Sequence, residues 1–353
     1  RARAASRRRG CPGHPASGSL EEGLGAVAAQ GRKSLLQQCT NDVLMIGPAA
    51  FDYNPETAVT NRMQAAGAGG AGSAGAGEAG SAQAAARAEF DAAVRVLEGA
   101  GVRVCVVEDT PLPPKPDACF PNNWVSFHAD GSVVLYPMLA PNRRLERREE
   151  LLEQVRREGG FRITRIVDLS AQERQGRFLE GTGSLVLDRP ARIAYASLSA
   201  RTHLDALGDF AQRLDYRIVN FESRGGDGLP IYHTNVMLAL GSRFAVVCAA
   251  AIAAARQRAA VLEQLRAGDR EVLEISPAQM RHFAGNLLEL RGRGGPLIAV
   301  SAAALRELTA AQRALLERHG RILSATIPTI EALGGGSVRC MLAEIHLPRS
   351  EVA

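Results

Sequence analysis

Short apolar runs alternate with amphipathic helical stretches along most of the chain. Two of these runs, Val43–Ile46 and Val102–Val107, have the length and composition of buried strands. Between them, Phe90, Val94 and Leu97 recur at helical spacing and predict one apolar helix face. This order of strand, helix and strand is typical of an α/β fold.

The rest of the chain repeats a unit of two strands, a helix and a third strand. The first strands of the five units are predicted at Trp124–His128, Ser184–Leu187, Val236–Leu240, Leu287–Leu290 and Met341–Ile345. The fifth unit has no later strands, so its partners must come from residues 43–107. The pattern therefore predicts five similar units, with both ends of the domain inside one of them.

The starts of these five strands keep a nearly constant register. The residues just before them, at spacings of 60, 52, 51 and 54, are Asn123, Gly183, Asn235, Asn286 and Cys340. A nearly fixed period of this size indicates a repeat architecture. If the units close on themselves, the strand starts meet at one end of a central channel. The alternative is a chance agreement among the turns of an ordinary α/β fold.

Composition limits the class of protein. Of the 353 residues, 46% are hydrophobic, which is enough for one large domain or two ordinary ones. The formal net charge of +5 equals the contribution of five N-terminal arginines: Arg1, Arg3, Arg7, Arg8 and Arg9. The remainder is close to neutral, so no nucleic-acid partner is expected. No apolar run approaches the ~20 residues that span a bilayer, so no membrane association is expected.

The chain divides into a leader and one catalytic domain. Residues 1–40 are expected to be a disordered leader or an over-long start, and residues 41–350 the domain. Residues 65–82 are almost entirely Ala, Gly and Ser and predict a flexible surface insertion. Six cysteines are scattered without a C-x-x-C pair, which indicates a reducing, cytoplasmic location and no zinc site. The oligomeric state is left open, and a homo-oligomer is compatible with the sequence.

The stretch GGGSVRC, Gly334–Cys340, carries the strongest chemical signal. Its glycines permit a close backbone approach and lead into a cysteine at the start of a strand. The alternative is a buried cysteine that packs as a small hydrophobe. Closure of the five units would bring Cys340 together with Glu180 and His233, which precede other first strands.

Four segments resemble the guanidino-group-modifying enzymes, which include arginine and agmatine deiminases, dimethylarginine hydrolase and amidinotransferases. They are PDACFPNNW (Pro116–Trp124), LEGTG (Leu179–Gly183), YHTNV (Tyr232–Val236) and GGGSVRC. The closest likeness is to the citrulline-utilisation hydrolases and covers most of the predicted domain. It implies a five-bladed α/β propeller, closed by pairing of the N- and C-terminal segments.

The resemblance also implies catalytic roles. Cys340 matches the nucleophile of the family, His233 its general acid and base, and Glu180 the carboxylate beside that histidine. The trio is chemically reasonable, since a thiolate attacks well, and an imidazole oriented by a carboxylate can take and return protons near pH 7. No metal or cofactor is implied.

Further residues match substrate-binding positions. Arg201 and either Arg143 or Arg144 occupy places where relatives hold a substrate α-carboxylate, and the planar guanidinium suits that task. The alternative for Arg143 and Arg144 is a solvated helix start. Asp117 is predicted to contact a polar end group or a substrate amine.

Two departures from the family point to the substrate. Relatives that act on a guanidinium carry aspartate where this chain has Asn123 and Asn235. Buried carboxylates offset a positive charge, but they are costly around a neutral group. An amide can both donate to a ureido oxygen and accept from a ureido N–H. The asparagines therefore favour a neutral ureido substrate.

These observations predict a hydrolase that converts citrulline and water into ornithine, ammonia and carbon dioxide through Cys340. Arginine deiminase and dimethylarginine hydrolase are the alternatives of the same class. A non-catalytic binding module is the alternative of a different class, because a ribosome anti-association factor shares the propeller. The cysteine, histidine and glutamate argue against that alternative, and so does the near-neutral body of the chain.

Overall fold

The computed structural model describes residues 37–65 and 76–350 of the chain. In chain order, the strands of this part are β1 (Asp42–Gly47), β2 (Arg103–Glu108), β3 (Val125–Phe127), β4 (Ser132–Leu135), β5 (Arg165–Asp168), β6 (Val186–Asp188), β7 (Ile193–Ser197), β8 (Arg217–Phe221), β9 (Leu238–Leu240), β10 (Phe244–Val247), β11 (Glu271–Glu274), β12 (Leu288–Gly292), β13 (Gly295–Ser301), β14 (Arg321–Ala325) and β15 (Ala343–Glu344). They form five three-stranded sheets.

Helices connect these strands and cover the sheets. The described helices are α1 (Pro55–Ala58), α2 (Ala76–Gly99), α3 (Pro141–Arg144), α4 (Glu149–Glu158), α5 (Gly181–Ser184), α6 (Leu204–Leu214), α7 (Ala255–Arg266), α8 (Pro277–Arg281), α9 (Ala302–Glu307) and α10 (Ala310–His319). None of these is long and apolar enough to cross a membrane.

All five sheets share one topology. In each, the first two strands pair antiparallel, and the third pairs parallel to the second after a helix. In the sheet that joins the two ends of the domain, β15 takes the first place, antiparallel to β1, and β2 runs parallel to β1. This confirms the five predicted strand–strand–helix–strand units and the pairing of the domain ends.

Apolar positions hold the helices on the sheets. All six residues of β1 are buried, as its continuous apolar run predicts. Phe90 and Leu97 of α2 are buried in one cluster with Val43, Met45 and Leu323. The helix therefore packs between the sheet of β1 and the sheet of β14, on the apolar face that the sequence predicts.

Each sheet also contacts the next one along the chain. Strand β15 contacts β3, α5 contacts β3, β6 contacts β9, and β9 contacts β12. The last contact in this series joins β13 to the helical turn before β15. Neighbouring units thus touch in sequence, from the first sheet to the fifth and back to the first.

The predicted boundary at residue 40 is wrong by a few residues. Gln38 donates to the backbone oxygens of Leu187 (2.9 Å) and Leu240 (3.4 Å) and accepts from the backbone N–H of Arg189. Thr40 donates to Ile345 O at 2.9 Å. Residues 37–40 therefore belong to the domain and tie several sheets together. Residues 1–36, the rest of the predicted leader, lie outside the described residues.

The predicted insertion at 65–82 also needs correction. Helix α2 begins at Ala76, so the last residues of that segment are helical rather than part of a linker. Just beyond it, the Gln83 side chain donates to Pro48 O at 2.7 Å and accepts from the Phe51 N–H at 2.5 Å. Residues 66–75 lie outside the described residues.

Candidate active site

Short helical turns place side chains in front of the first strands. Such turns span Pro121–Asn123 before β3, Gly181–Ser184 before β6, Thr234–Val236 before β9 and Val338–Met341 before β15. Because the units share one topology, equivalent turns point their side chains toward a common centre. The residues that the sequence predicts just before the first strands, including Asn123, Gly183, Asn235 and Cys340, lie in these turns.

The thiol of Cys340 lies at this centre and is buried. Two amide groups donate to its sulfur, Asn235 Nδ2 at 3.4 Å and Asn286 Nδ2 at 3.3 Å. Asn286 Nδ2 also donates to the backbone O of Asn235 at 3.1 Å, which ties the Asn286 side chain to the turn that carries Asn235. Amide N–H groups aimed at sulfur stabilise negative charge there, as a nucleophilic thiolate requires.

His233 and Glu180 form a buried pair in the same pocket. His233 Nε2 lies 2.8 Å from Glu180 Oε2, and Arg201 Nη1 donates to the same oxygen at 3.2 Å. The Leu139 N–H donates to Glu180 Oε1 at 3.1 Å. Both carboxylate oxygens of Glu180 therefore accept hydrogen bonds. This fixes the position of the carboxylate and, through it, the orientation of the His233 imidazole.

Burial and charge set the protonation of this pair. Burial favours neutral Glu180, but the Arg201 guanidinium and His233 outweigh it and hold the pKa of Glu180 well below its usual range. Burial lowers the pKa of His233 to about 4, although Glu180 acts in the opposite direction. At neutral pH the imidazole is thus neutral beside an ionised carboxylate. Nε2 must then carry the proton that Glu180 accepts, and Nδ1 is the basic nitrogen.

Asn123 is held by an arginine. Arg143 Nη1 donates to Asn123 Oδ1 at 2.6 Å, and Asn123 Nδ2 donates to Asn122 Oδ1 at 2.9 Å. Arg143 is itself buried in a two-fold pairing with Glu146, with both contacts at 2.9 Å. The structure therefore places Arg143 as a residue that fixes the orientation of the Asn123 amide.

Asp117 lines the pocket, and one of its two carboxylate oxygens accepts hydrogen bonds from neighbouring side chains. Asn54 Nδ2 and Thr57 Oγ1 donate to Asp117 Oδ2 at 2.8 and 3.0 Å. Its Oδ1 is buried and has no hydrogen-bond partner among the described residues. Burial raises the pKa of Asp117, and Arg143 partly offsets this effect. An unsatisfied buried carboxylate oxygen beside the thiol pocket is suited to receive a donor from a ligand.

Arg201 reaches the loop that covers the pocket. Besides Glu180, it donates to Thr60 Oγ1 at 2.9 Å and Thr57 O at 2.7 Å. Arg144, in contrast, donates to Met138 O and Leu139 O and does not line the pocket. The structure thus brings eight of the nine predicted site residues together and leaves Arg144 outside.

The pocket is small and covered. It offers about 10 Å³, which is room for roughly one water molecule. Its walls are Asn61, Asp117, Phe120, Asn123, Arg143, Arg201, Tyr232, His233, Gly334, Gly335, Gly336 and Cys340. Asn61 Nδ2 donates to Gly335 O at 3.3 Å, and the Tyr232 hydroxyl donates to the same oxygen at 2.6 Å. The loop before α2 therefore closes over the glycine segment and the thiol.

A glycine keeps the catalytic groups accessible. A Cβ at Gly183 would lie 2.4 Å from Asn123 Nδ2 and 2.8 Å from His233 Nδ1. Any side chain there would displace the amide and the basic nitrogen together. Gly183 and Asn286 also lie at the candidate site, and the sequence motifs assign them no role, although both belong to the five-residue register. That register was the signal that could have identified them.

The site shows no sign of a metal centre. No group of three or more His, Cys, Asp or Glu side chains within residues 37–65 and 76–350 could hold a metal ion. The chemistry that these residues can support is nucleophilic attack by a thiol, with a neutral imidazole as the proton acceptor.

Comparison with known proteins places this site in context. The family described as N,N dimethylarginine dimethylhydrolase, eukaryotic, matches residues 47–347. Comparison with curated proteins gave no match.

Among solved structures, apo ArgZ is similar to this chain with a TM-score of 0.66 and 18% identity. It is an arginine dihydrolase from the ornithine-ammonia cycle in cyanobacteria. The match covers 88% of this chain but 41% of that one, so this chain spans less than half of the length of ArgZ. The N-terminal domain of ArgZ, a cysteine-to-serine variant bound to substrate, gives a TM-score of 0.64 at 18% identity, with 86% and 97% coverage.

The dimethylarginine hydrolase of Pseudomonas aeruginosa, in complex with citrulline, matches with a TM-score of 0.59 and 14% identity, covering 87% of this chain and 100% of that one. At such identities the structural likeness establishes the fold alone. The family match rests on the sequence and spans most of the chain. The chain therefore belongs to the family described as N,N dimethylarginine dimethylhydrolase, eukaryotic.

Proposed function

We propose that this protein hydrolyses the ureido group of citrulline to ornithine, ammonia and carbon dioxide. The proposal rests on the side chains that contact the Cys340 sulfur. The side chains that donate to it are the neutral amides of Asn235 and Asn286, at 3.4 and 3.3 Å. A guanidinium cation would gain little from such neighbours, whereas a ureido group can exchange hydrogen bonds with them.

Two of the nearby carboxylates, Glu180 and Glu146, are already paired, and the proposal assigns the third, Asp117, to the α-amino group of the substrate. The charge of Glu180 is compensated by Arg201, and its carboxylate accepts a hydrogen bond from the neutral His233. Glu146 lies behind Arg143 and is paired with it. A neutral reacting group would therefore meet a nearly neutral surface at the sulfur. Burying a cation there would require a compensating charge that the neighbouring amides do not supply.

The reaction proceeds in two halves. Cys340 Sγ attacks the ureido carbon while His233 Nδ1 accepts the thiol proton. That proton then goes to the departing amine nitrogen, which leaves a carbamoyl group on sulfur. In the second half, His233 takes a proton from water as the water oxygen attacks the same carbon. The thiol is restored, and the released carbamate decomposes to carbon dioxide and the second amine.

Donor groups stabilise the charge that develops on the ureido oxygen. The Asn123 amide is positioned for this by Arg143, and a single such donor is worth roughly 3 kcal/mol. The α-amino group of the substrate pairs with the free Oδ1 of Asp117, and the α-carboxylate with Arg201. Because the closed pocket holds about one water, the loop with Asn61 must move to admit the substrate.

We also propose that the five sheets close into a five-bladed propeller. The contacts between successive units, and the contact of the fifth sheet with the turn before β15, support a closed ring. In such a ring the thiol, imidazole and amides lie at one end of the central channel. The similarity to ArgZ is consistent with this arrangement.

A second candidate is hydrolysis of N,N-dimethylarginine or arginine. The family description favours the first of these substrates. The ArgZ structures favour the second, because their N-terminal domain is an arginine dihydrolase. Asp117 is the pocket carboxylate that would have to meet a guanidinium, since its Oδ1 has no partner within the described part of the chain.

A substrate panel separates the candidates. The purified protein is incubated with citrulline, arginine, N,N-dimethylarginine or agmatine, and ornithine, citrulline, ammonia and dimethylamine are measured. The proposal predicts ornithine and ammonia from citrulline, with kcat/KM about 100-fold or more above that for any guanidinium substrate. Release of dimethylamine from dimethylarginine, with citrulline left unconsumed, would contradict it.

A further inference from the structure

A second and larger cleft lies beside the catalytic pocket. Its volume is about 400 Å³, which falls within the range of small-molecule binding sites. Residues 60–63, the loop at 225–232 and helix α8 form its walls. Tyr232 lines both this outer cleft and the catalytic pocket, so the two spaces share a wall.

The outer cleft carries a surplus of positive charge. Arg62 and Arg281 both line it, and neither forms an ion pair with a residue in 37–65 or 81–350, where the structure describes the side chains. Asp227 is the acidic residue of the lining, and its Oδ1 already accepts from the Leu229 N–H at 3.1 Å. Two guanidinium groups against one partly satisfied carboxylate favour an anionic ligand.

Apolar side chains also line the outer cleft. It includes Met63, Ile231, Val236 and Met280. Leu229 also lines it and is 43% exposed. A ligand that satisfies both the guanidinium groups and the apolar side chains combines a carboxylate with a compact aliphatic body.

The outer cleft is connected to the catalytic residues. Thr60 lines it and accepts a hydrogen bond from Arg201 Nε at 2.9 Å. Arg201 in turn donates to Glu180, which orients His233. We propose that the outer cleft is a separate binding site for a small aliphatic carboxylate, distinct from the site of the hydrolytic reaction.

The test uses the full chain and two probes of the same shape. The probes are 4-methylpentanoate and its neutral amide, 4-methylpentanamide, titrated by saturation-transfer NMR. The carboxylate should bind about tenfold or more tightly than the amide, because a guanidinium pairs with carboxylate through charged hydrogen bonds. Equal binding of the two probes, or no binding of the carboxylate, would overturn the proposal.

Two variants locate the bound probe. Arg281→Gln removes one cation of the outer cleft and should weaken 4-methylpentanoate about tenfold. A Cβ at Gly226 would meet Arg281 Nη1 at 3.7 Å and no other described atom within 4 Å. A large side chain in Gly226→Trp can therefore fill the outer cleft, and Gly226→Ala is the matched control. Binding should be lost in the tryptophan variant and retained in the alanine variant.

The same variants exclude binding in the catalytic pocket. A probe held there by Arg201 would bind equally well to wild-type protein and to Arg281→Gln, which would contradict the assignment. Turnover without probe should stay unchanged in Arg281→Gln. Since binding is measured directly, the result holds whichever substrate the catalytic site takes.

Discussion

Replacing Asn235 by aspartate tests the charge argument at the nucleophile. In the structure, Asn235 Nδ2 donates to Cys340 Sγ at 3.4 Å. Asn235→Asp removes this donor and places a carboxylate of similar shape at the same distance from the sulfur. The change therefore sets two negative charges side by side whenever the thiol ionises.

The magnitude follows from the distance. Two like charges about 4 Å apart repel by roughly 4 kcal/mol at an effective dielectric constant of about 20. This corresponds to a loss of about 10³-fold in kcat/KM for citrulline. Proton uptake by the new carboxyl group would relieve the repulsion, so the loss should be larger at pH 8 than at pH 6. Arginine, as a cation, should lose much less or gain.

Asn123→Asp is the matched control. Its new carboxylate would replace an amide oxygen that lies 2.6 Å from Arg143 Nη1, so the added charge is compensated locally. The loss for citrulline should then be about 10²-fold, which is the value of the lost oxyanion donor, and so smaller than the loss in Asn235→Asp. The assay is kcat/KM for citrulline and arginine in both variants. If Asn235→Asp kept more than a tenth of wild-type citrulline activity, the argument for a neutral substrate would fail.

Four further outcomes are expected. Cys340→Ser should abolish turnover of every substrate while the melting temperature stays close to wild type; turnover above a hundredth of wild type would exclude the covalent route. Gly183→Ala should lower kcat at least 10²-fold, because its Cβ would displace His233 Nδ1, whereas Gly208→Ala, with nothing within 4 Å of the added Cβ, should be silent. Gln38→Ala should lower the free energy of unfolding by about 1–2 kcal/mol in urea titrations without changing kcat, because it leaves strand-end backbone groups unpaired. Stability should fall as the pH drops from about 6.5 toward 4, because His233 binds a proton in the unfolded chain but not in the folded one, where burial lowers its pKa to about 4; this group contributes up to ~1.4 kcal/mol per pH unit, and His233→Gln should reduce the slope by that amount.

Much of the architecture is readable from the sequence because the units are regular. Each first strand follows a turn at nearly constant spacing, and this register places Cys340 and Asn235 together before any coordinates are known. In the structure, Asn235 Nδ2 and Cys340 Sγ lie 3.4 Å apart, as this convergence predicts. Asn286 has the same register and the same contact to sulfur, but no motif surrounds it, so it received no role.

Other features depend on partners that local patterns do not reveal. Arg143 stands in a run of charges that also predicts a solvated helix start, yet it is buried between Glu146 and Asn123. Only the tertiary fold brings these groups together. Gln38 bonds to backbone groups roughly 150 residues or more away, which no local pattern encodes.

The start of α2 was misread for a different reason. Residues 65–82 contain many glycines and serines, which favour a linker, but also many alanines, which have the highest helix propensity. Composition alone does not decide between the two. Helix α2 begins at Ala76, within this segment. Further along, Phe90 and Leu97 pack it against the sheets.

The central claim is that Cys340 attacks the ureido carbon of citrulline, and an isotope label tests it most directly. Citrulline labelled at the ureido carbon is mixed with the enzyme, the reaction is quenched within one turnover, and the Cys340 peptide is analysed by mass spectrometry. The account predicts a labelled carbamoyl group on that peptide, with no label on the peptide from Cys340→Ser. Labelled carbon dioxide released while the Cys340 peptide stays unlabelled at every quench time would contradict it.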